Sequence, residues 1–283
     1  MTEHRVTLPD GRTLALAEYG RPDGPVVVLL PCAPGSRHLD PDPAATAAAG
    51  VRLLVVDRPG YGESSPLPAG VASTLAARGD DVPAALRALD VAEAGVVGWS
   101  NGGSVALALA ARHPAVVQAL VLVATPAPDD DVPWVPDEYR AVNRALRPDP
   151  ASAAERLAPY FAEVVTDPAA SIDTMAAGPA DEAVLSDGAR RDQVVAMLAE
   201  AFRQGAAGVV SDIVAVNIAP AGFDPASVGA PTTLFYGTAD VLVGPEHGDY
   251  WAAIVPDAQL RKVDGAGHLV ALTHWADILA AAR

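Results

Sequence analysis

The segment Gly98-Trp99-Ser100-Asn101-Gly102-Gly103 follows the apolar run "AGVV" and leads into "SVALALAAR". It is Gly-x-Ser-x-Gly set between a strand and a helix. Such a turn is so sharp that its central residue takes strained dihedrals, and small residues two before and two after it keep side chains from colliding. The serine Oγ is then exposed at the start of a helix whose dipole favours negative charge. A hydroxyl is a poor nucleophile without a base. In this architecture the acid and the histidine follow later, in the order Ser, Asp, His. Two later strand ends offer them: Gly237-Thr238-Ala239-Asp240 after "TTLFY", and Asp264-Gly265-Ala266-Gly267-His268 after "QLRKV". His268 would take the Ser100 proton and return it to a leaving group, while Asp240 would hold the imidazole tautomer and stabilise the imidazolium. Asp264 is the alternative acid, or otherwise a turn-forming aspartate. Of the six histidines, His4 lies in the first strand, His113 in the helix-ending turn "ARHP", and His247 and His274 in helical segments. His38 follows an early turn and is a candidate lining residue.

These residues need a scaffold of strand ends. "RVTL-PDG-RTLALAEYG" is strand, turn, strand, because Pro presets φ and Gly accepts the left-handed region. "PVVVLL", "VRLLVV" (51–56), "AGVVG" (94–98), "ALVLVA" (119–124), "TTLFY" (232–236) and "QLRKV" (259–263) are short strand-like runs, several of them continuously apolar as in strands buried on both faces. Helix-like segments at 80–89 and 102–111 alternate with them. The pattern predicts an α/β fold with a mostly parallel, eight-stranded sheet flanked by helices and opened by an antiparallel hairpin. The alternation stops after the sixth strand. The Pro- and Asp-rich loop "TPAPDDDVPWVP" is followed by helical patterns at 137–146, 151–165, 189–203 and 206–217. This predicts a helical insertion between the sixth and seventh strands, over about 126–218.

The bulk properties narrow the partners. Apolar residues make up 51% of the 283, enough for a sizeable core, and the net charge is −16 with one lysine, Lys262. That disfavours nucleic acid, whose phosphates require clustered Lys and Arg. A single cysteine excludes an intrachain disulfide and a Cys-rich metal site. The N-terminus has no continuous apolar signal region, and Arg112, His113 and Pro114 interrupt the longest candidate membrane span. The expectation is a cytoplasmic protein, monomeric or homodimeric, acting on a small molecule away from any membrane.

With "GWSNGG", the blocks "APGSR" (33–37), "VVDRPGYGESS" (55–65), "FDPASVGAPTTLFYGTADVLVGPEHG" (223–248) and "VPDAQLRKVDGAGHL" (255–269) resemble the α/β-hydrolase superfamily over nearly the whole chain. The likeness is strongest to its capped esterases and proline-iminopeptidase-like enzymes. It implies Ser100 as nucleophile, Asp240 as acid, His268 as base, no metal or organic cofactor, and a core of residues 1–125 and 206–283 carrying a helical cap at 126–205. Ester or lactone hydrolysis leads the expected chemistry. An iminopeptidase-like peptidase, or an acyltransferase, cyclase or lyase of a biosynthetic pathway, is the alternative. The serine at position 100 departs from epoxide hydrolases and haloalkane dehalogenases, which carry aspartate there. Leu269 departs from hydroxynitrile lyases, which carry lysine after the histidine.

The resemblance also implies an oxyanion hole made by the backbone N–H groups of Asn101 and Ala33. Members of the family usually read His-Gly-x-Pro-Gly at the second position. Here the turn is Pro31-Cys32-Ala33-Pro34-Gly35, so a proline and the only cysteine stand where histidine and glycine are usual. Cys32 is expected as a small hydrophobe or pocket-lining residue rather than a nucleophile, unless Arg37 or His38 lowers its pKa. Cys32, His38, Trp99, Trp134, Tyr139 and Leu269 are the expected pocket residues.

Overall fold

The computed structural model describes residues 1–283 except 162–164 and 166. Its strands are β1 (Thr2–Thr7), β2 (Thr13–Gly20), β3 (Val26–Leu30), β4 (Arg52–Val56), β5 (Ala94–Trp99), β6 (Val117–Val123), β7 (Thr232–Gly237) and β8 (Ala258–Val263). They form one eight-stranded sheet in the order β1-β2-β4-β3-β5-β6-β7-β8. β2 pairs antiparallel with β1 and β4, and every other pair is parallel. The mostly parallel sheet and its opening hairpin are those the sequence predicts.

The apolar runs are continuous because the central strands are covered on both sides. Val28 and Leu30 enter one core and Val27 and Leu29 the other, the period of two that a pleated strand imposes. α1 (Pro43–Ala49) packs in the second core, and α2 (Leu75–Ala88) and α3 (Asn101–Arg112) pack in the first. Asp42 caps α1 by accepting from the Ala45 N–H, and Thr74 caps α2 by accepting from Ala77, each satisfying a donor that the helix leaves orphaned. The Thr74 cap starts α2 earlier than the helix expected over 80–89.

Between β6 and β7 the described residues form helices and no strand. They are α4 (Asp137–Leu146), α5 (Pro150–Leu157), α6 (Ile172–Met175), α7 (Pro179–Leu185), α8 (Gly188–Ala201) and α9 (Ala207–Ile213). The helix expected over 151–165 is shorter. α5 ends at Leu157 and continues as a 3₁₀ turn, Ala158–Phe161, because Pro159 disfavours helical dihedrals at the residue before it and lacks an N–H. The rest of that expected helix includes residues outside the described ones. After β7 come α10 (Pro245–Ile254), which packs in the first core, then α11 (Val270–Thr273) and α12 (Trp275–Ala281), which pack in the second.

The helical stretch is tied to loops that follow the sheet strands. Ser36 Oγ donates to the Met197 carbonyl at 2.7 Å, and Gln193 Nε2 donates to the Asp40 carbonyl. Gln204 donates to the carbonyls of Gly62 and Ser64. The buried Arg37 guanidinium joins Asp57 and Glu200, both at 2.6 Å. Deeper still, Asp212 of α9 accepts from Arg58, Arg78 and the Tyr61 hydroxyl, and all four side chains are buried. Burial alone would raise the Asp212 pKa, but Arg58 and Arg78 outweigh it and hold the carboxyl below the usual aspartate range.

Because that pKa is depressed on folding, Asp212 contributes stability that is full above the ordinary carboxylate pKa and lost as pH falls through the folded value. Asp212→Asn leaves two buried guanidiniums without their carboxylate and is expected to lose about 3–5 kcal/mol at neutral pH. Urea unfolding at pH 7 and at successively lower pH checks both statements, since the gap to the wild type should narrow below about pH 4.

Candidate active site

The parallel registers bring five strand ends level. Leu30 of β3 lies opposite Gly98 of β5, Trp99 opposite Val123 of β6, Val123 opposite Phe235 of β7, and Gly237 opposite Val263 of β8. The loops that follow therefore meet at one edge, outside the carboxyl ends of the strands.

Ser100 stands at the turn from β5 into α3 with φ 54° and ψ −127°. This is a strained conformation for a residue with a Cβ. Its N–H donates to the Val123 carbonyl at 2.8 Å. The flanking glycines are there because backbone lies against them. A Cβ on Gly98 would stand 2.4 Å from the Gly103 Cα, and one on Gly102 would stand 2.1 Å from the Leu30 carbonyl oxygen. Gly102 thus lets the turn carrying Ser100 press on the Pro31–Ala33 turn, and Asn101 and Ala33 sit half-buried on these two abutting segments.

The three candidate side chains come together. Ser100 Oγ lies 3.1 Å from His268 Nε2, and His268 Nδ1 lies 2.8 Å from Asp240 Oδ2. The other Asp240 oxygen accepts the N–H groups of Leu242 and Val243 at 2.8 and 2.9 Å. That grip fixes the carboxylate and leaves Oδ2 for the ring. A carboxylate at Nδ1 requires the proton there, so Nε2 presents its lone pair to the serine hydroxyl. Ser100, Asp240 and His268 are 9%, 8% and 4% exposed, so bulk water is largely kept from them and electrostatic interactions between them are strengthened.

The remaining histidines are engaged elsewhere. His4 bonds Glu18, His113 bonds Asp80, His274 bonds Thr273, and His247 Nδ1 accepts from the Ala127 N–H. Asp264 is exposed, and its carboxylate accepts from the Thr238 hydroxyl. It is a turn aspartate and does not face the imidazole.

The expected pocket residues sit in different surroundings. His38 Nε2 lies 2.9 Å from a carboxylate oxygen of Glu3 of β1, to which Arg37 also donates. Tyr139 is 55% exposed on α4. Trp134 is half-buried; its backbone N–H donates to Asp129, and its indole Nε1 is buried without a hydrogen-bond partner among the described residues. Trp99 and Leu269 are buried in the second core. Trp99 nevertheless contributes to the site, because its Nε1 donates to the His268 carbonyl at 3.1 Å. Cys32 is also buried in that core, and its Sγ lies 3.4 Å from the Pro34 carbonyl. Burial pushes its thiol up to about 12, although Arg58 nearby acts in the opposite direction. Arg37, the cation proposed to activate it, is turned to Asp57 and Glu200.

Two supports were not evident from the sequence. Asp181 of α7 accepts the backbone N–H groups of His268 and Leu269 at 3.0 and 2.7 Å. A Cβ on Gly267 would lie 2.3 Å from that carboxylate, so glycine permits the approach. Burial raises the Asp181 pKa, against the two N–H donors. In sequence it reads as an ordinary acidic residue in a helix first turn. The second support is Arg58, whose guanidinium donates to the carbonyls of Pro31 and Cys32. Its signal was the lone aspartate in the apolar run "VVSDIVAV", since a charge at such a position needs a buried partner.

The family model described as alpha/beta hydrolase fold matches residues 25–274. The chain belongs to the α/β-hydrolase family. It is 32% identical over 229 residues to the pimeloyl-[acyl-carrier protein] methyl ester esterase of Chromobacterium violaceum, an alignment covering 80% of each chain. It is 29% identical over 282 residues to the polyketide synthase ThaQ of Burkholderia thailandensis, covering 97% of this chain and 12% of that much longer one. The crystal structure of a hydrolase from Pseudomonas aeruginosa PA01 superposes with a TM-score of 0.73 at 26% identity, covering 99% of this chain and 96% of the other.

The thiol gives a direct check on the site's packing. At pH 8 the native protein should resist 5,5′-dithiobis(2-nitrobenzoate), because burial both shields the thiol and disfavours its thiolate. One thiol should then react on unfolding. Stoichiometric labelling of the folded protein contradicts this packing.

Proposed function

We propose that this enzyme cleaves a small-to-medium carboxylic ester or lactone through an acyl-enzyme on Ser100. The observation that carries the proposal is the buried hydrogen-bonded line Ser100–His268–Asp240 at the shared edge of five strand ends. Ser100 Oγ attacks the substrate carbonyl carbon as His268 Nε2 takes its proton, and the carbonyl electron pair moves to oxygen. The N–H groups of Asn101 and Ala33 receive that oxyanion. Collapse expels the alcohol, protonated by His268, and water repeats the sequence in reverse to free the acid. Asp240 holds the imidazole tautomer and stabilises the imidazolium. Residues 126–205 act as a cap that covers the site and selects the substrate, which agrees with their ties to the loops after β3, β4 and β8. The esterase relative from Chromobacterium violaceum supports ester chemistry.

One observation favours a second reading, acyl transfer within a biosynthetic sequence: the full-length likeness to a segment of a polyketide synthase. The two readings share the acyl-enzyme and differ in what accepts the acyl group.

p-Nitrophenyl acetate turnover and fluorophosphonate labelling test the nucleophile. Ser100→Ala should abolish labelling and lower turnover by at least about 10³-fold, and unchanged turnover would falsify the assignment. Adding hydroxylamine or an alkyl alcohol separates the readings. A hydrolase releases mainly acid, whereas an acyltransferase passes most of the acyl group to the added nucleophile.

A further inference from the structure

We infer that Arg58 is a positioning residue for the oxyanion hole, acting through the peptide group that joins Cys32 to Ala33. The inference rests on the proposed acyl chemistry at Ser100 and adds what aims the second oxyanion donor. The Cys32–Ala33 peptide is trans, so its carbonyl and its N–H point in opposite directions across one rigid plane. Arg58 Nη2 donates to the Cys32 oxygen at 2.9 Å, and Nη1 donates to the Pro31 oxygen. Gripping the oxygen from one side fixes the direction of the Ala33 N–H on the other. It also withdraws electrons from the amide, which strengthens that N–H as a donor, as linked hydrogen bonds polarise one another.

The guanidinium is itself immobilised. Arg58 is 2% exposed, its Nε and Nη2 bond the two oxygens of Asp212, and it lies 5.1 Å over the Tyr61 ring. Tyr61 donates its hydroxyl to the same carboxylate at 2.9 Å. Arg78 also donates to Asp212, while its other nitrogens reach Ser73 and Ser211. Two buried guanidiniums therefore share the Asp212 carboxylate, and only that of Arg58 reaches past it to the turn carbonyls. Arg78 makes the contrast, because it holds Asp212 yet bonds neither turn carbonyl.

The experiment compares Arg58→Met, Arg58→Lys and Arg78→Met with the wild type. Urea midpoints, kcat and KM for p-nitrophenyl acetate, and Ki for an alkyl trifluoromethyl ketone are measured for each. Ser100 Oγ adds to the ketone carbon, its proton passes to His268, and the carbonyl electron pair becomes an oxyanion, so Ki reports the hole directly. Arg58→Met should lower kcat by about 10- to 100-fold with KM within about twofold, and raise Ki by a similar factor. Arg58→Lys, which keeps a cation beside Asp212, should fold and lie between Arg58→Met and the wild type. Arg78→Met should lose comparable stability while losing less than about threefold in kcat. Wild-type kcat and Ki in Arg58→Lys, or equal losses of kcat in Arg58→Met and Arg78→Met, overturn the inference. If Arg58→Met does not fold, Arg58→Lys alone decides. A wild-type protein untouched by the ketone, or a Ser100→Ala variant equally inhibited by it, overturns the underlying acyl chemistry and this inference with it.

Discussion

The parallel register of β3, β5, β6, β7 and β8 is the constraint on which the site depends. Each pairing fixes where one strand stops relative to its neighbour, and the stops fall level. Serine, aspartate and histidine from three distant parts of the chain meet because backbone ladders bring them there. A slip of one residue in β7 or β8 would turn alternate side chains to the opposite face and carry Asp240 or His268 away from the others. Both cores oppose such a slip in β7, whose Leu234 and Tyr236 enter the first and Phe235 the second, while β8 is held in place by its ladder to β7.

A second layer holds the loops once the strands have delivered them. The acid loop is stitched to the histidine loop through the Ala239 N–H and the Ala266 carbonyl at 2.9 Å. Trp99, on the strand that carries Ser100, holds the carbonyl of His268, while Asp181 holds the N–H of the same residue. The histidine is therefore fixed at its backbone from two sides and at its ring by Asp240. These bonds keep polar groups satisfied in a region that excludes water, where leaving them unpaired is expensive. The outcome is a site whose atoms are set before substrate arrives, the condition under which electrostatic stabilisation costs no reorganisation.

The sheet, its opening hairpin and the meeting of Ser100, Asp240 and His268 were legible in the sequence because each rests on local signals. Strands buried on both faces write themselves as apolar runs, and a strand-to-helix turn under steric pressure writes itself as glycines around a serine. The side chains around the site were less legible. His38 bonds Glu3, far away in sequence, and Tyr139 stands largely in solvent, and neither setting has a local signal. Asp181 and Arg58 act on backbone groups far away in sequence, through carboxylate and guanidinium contacts that leave no periodicity. The proline and cysteine of the early turn looked like a departure that could disturb its geometry. Their carbonyls turn out to be the atoms that a buried arginine holds.

Asp181 lies on a helix between β6 and β7, yet its two oxygens end on the loop that carries the imidazole. That division of labour bears on how such a protein can change. Replacing the whole segment between β6 and β7 would release the backbone of His268 at the same time. The helical stretch has a seam at the turn Gly178–Asp181, which has to stay with the scaffold for the imidazole to stay in place.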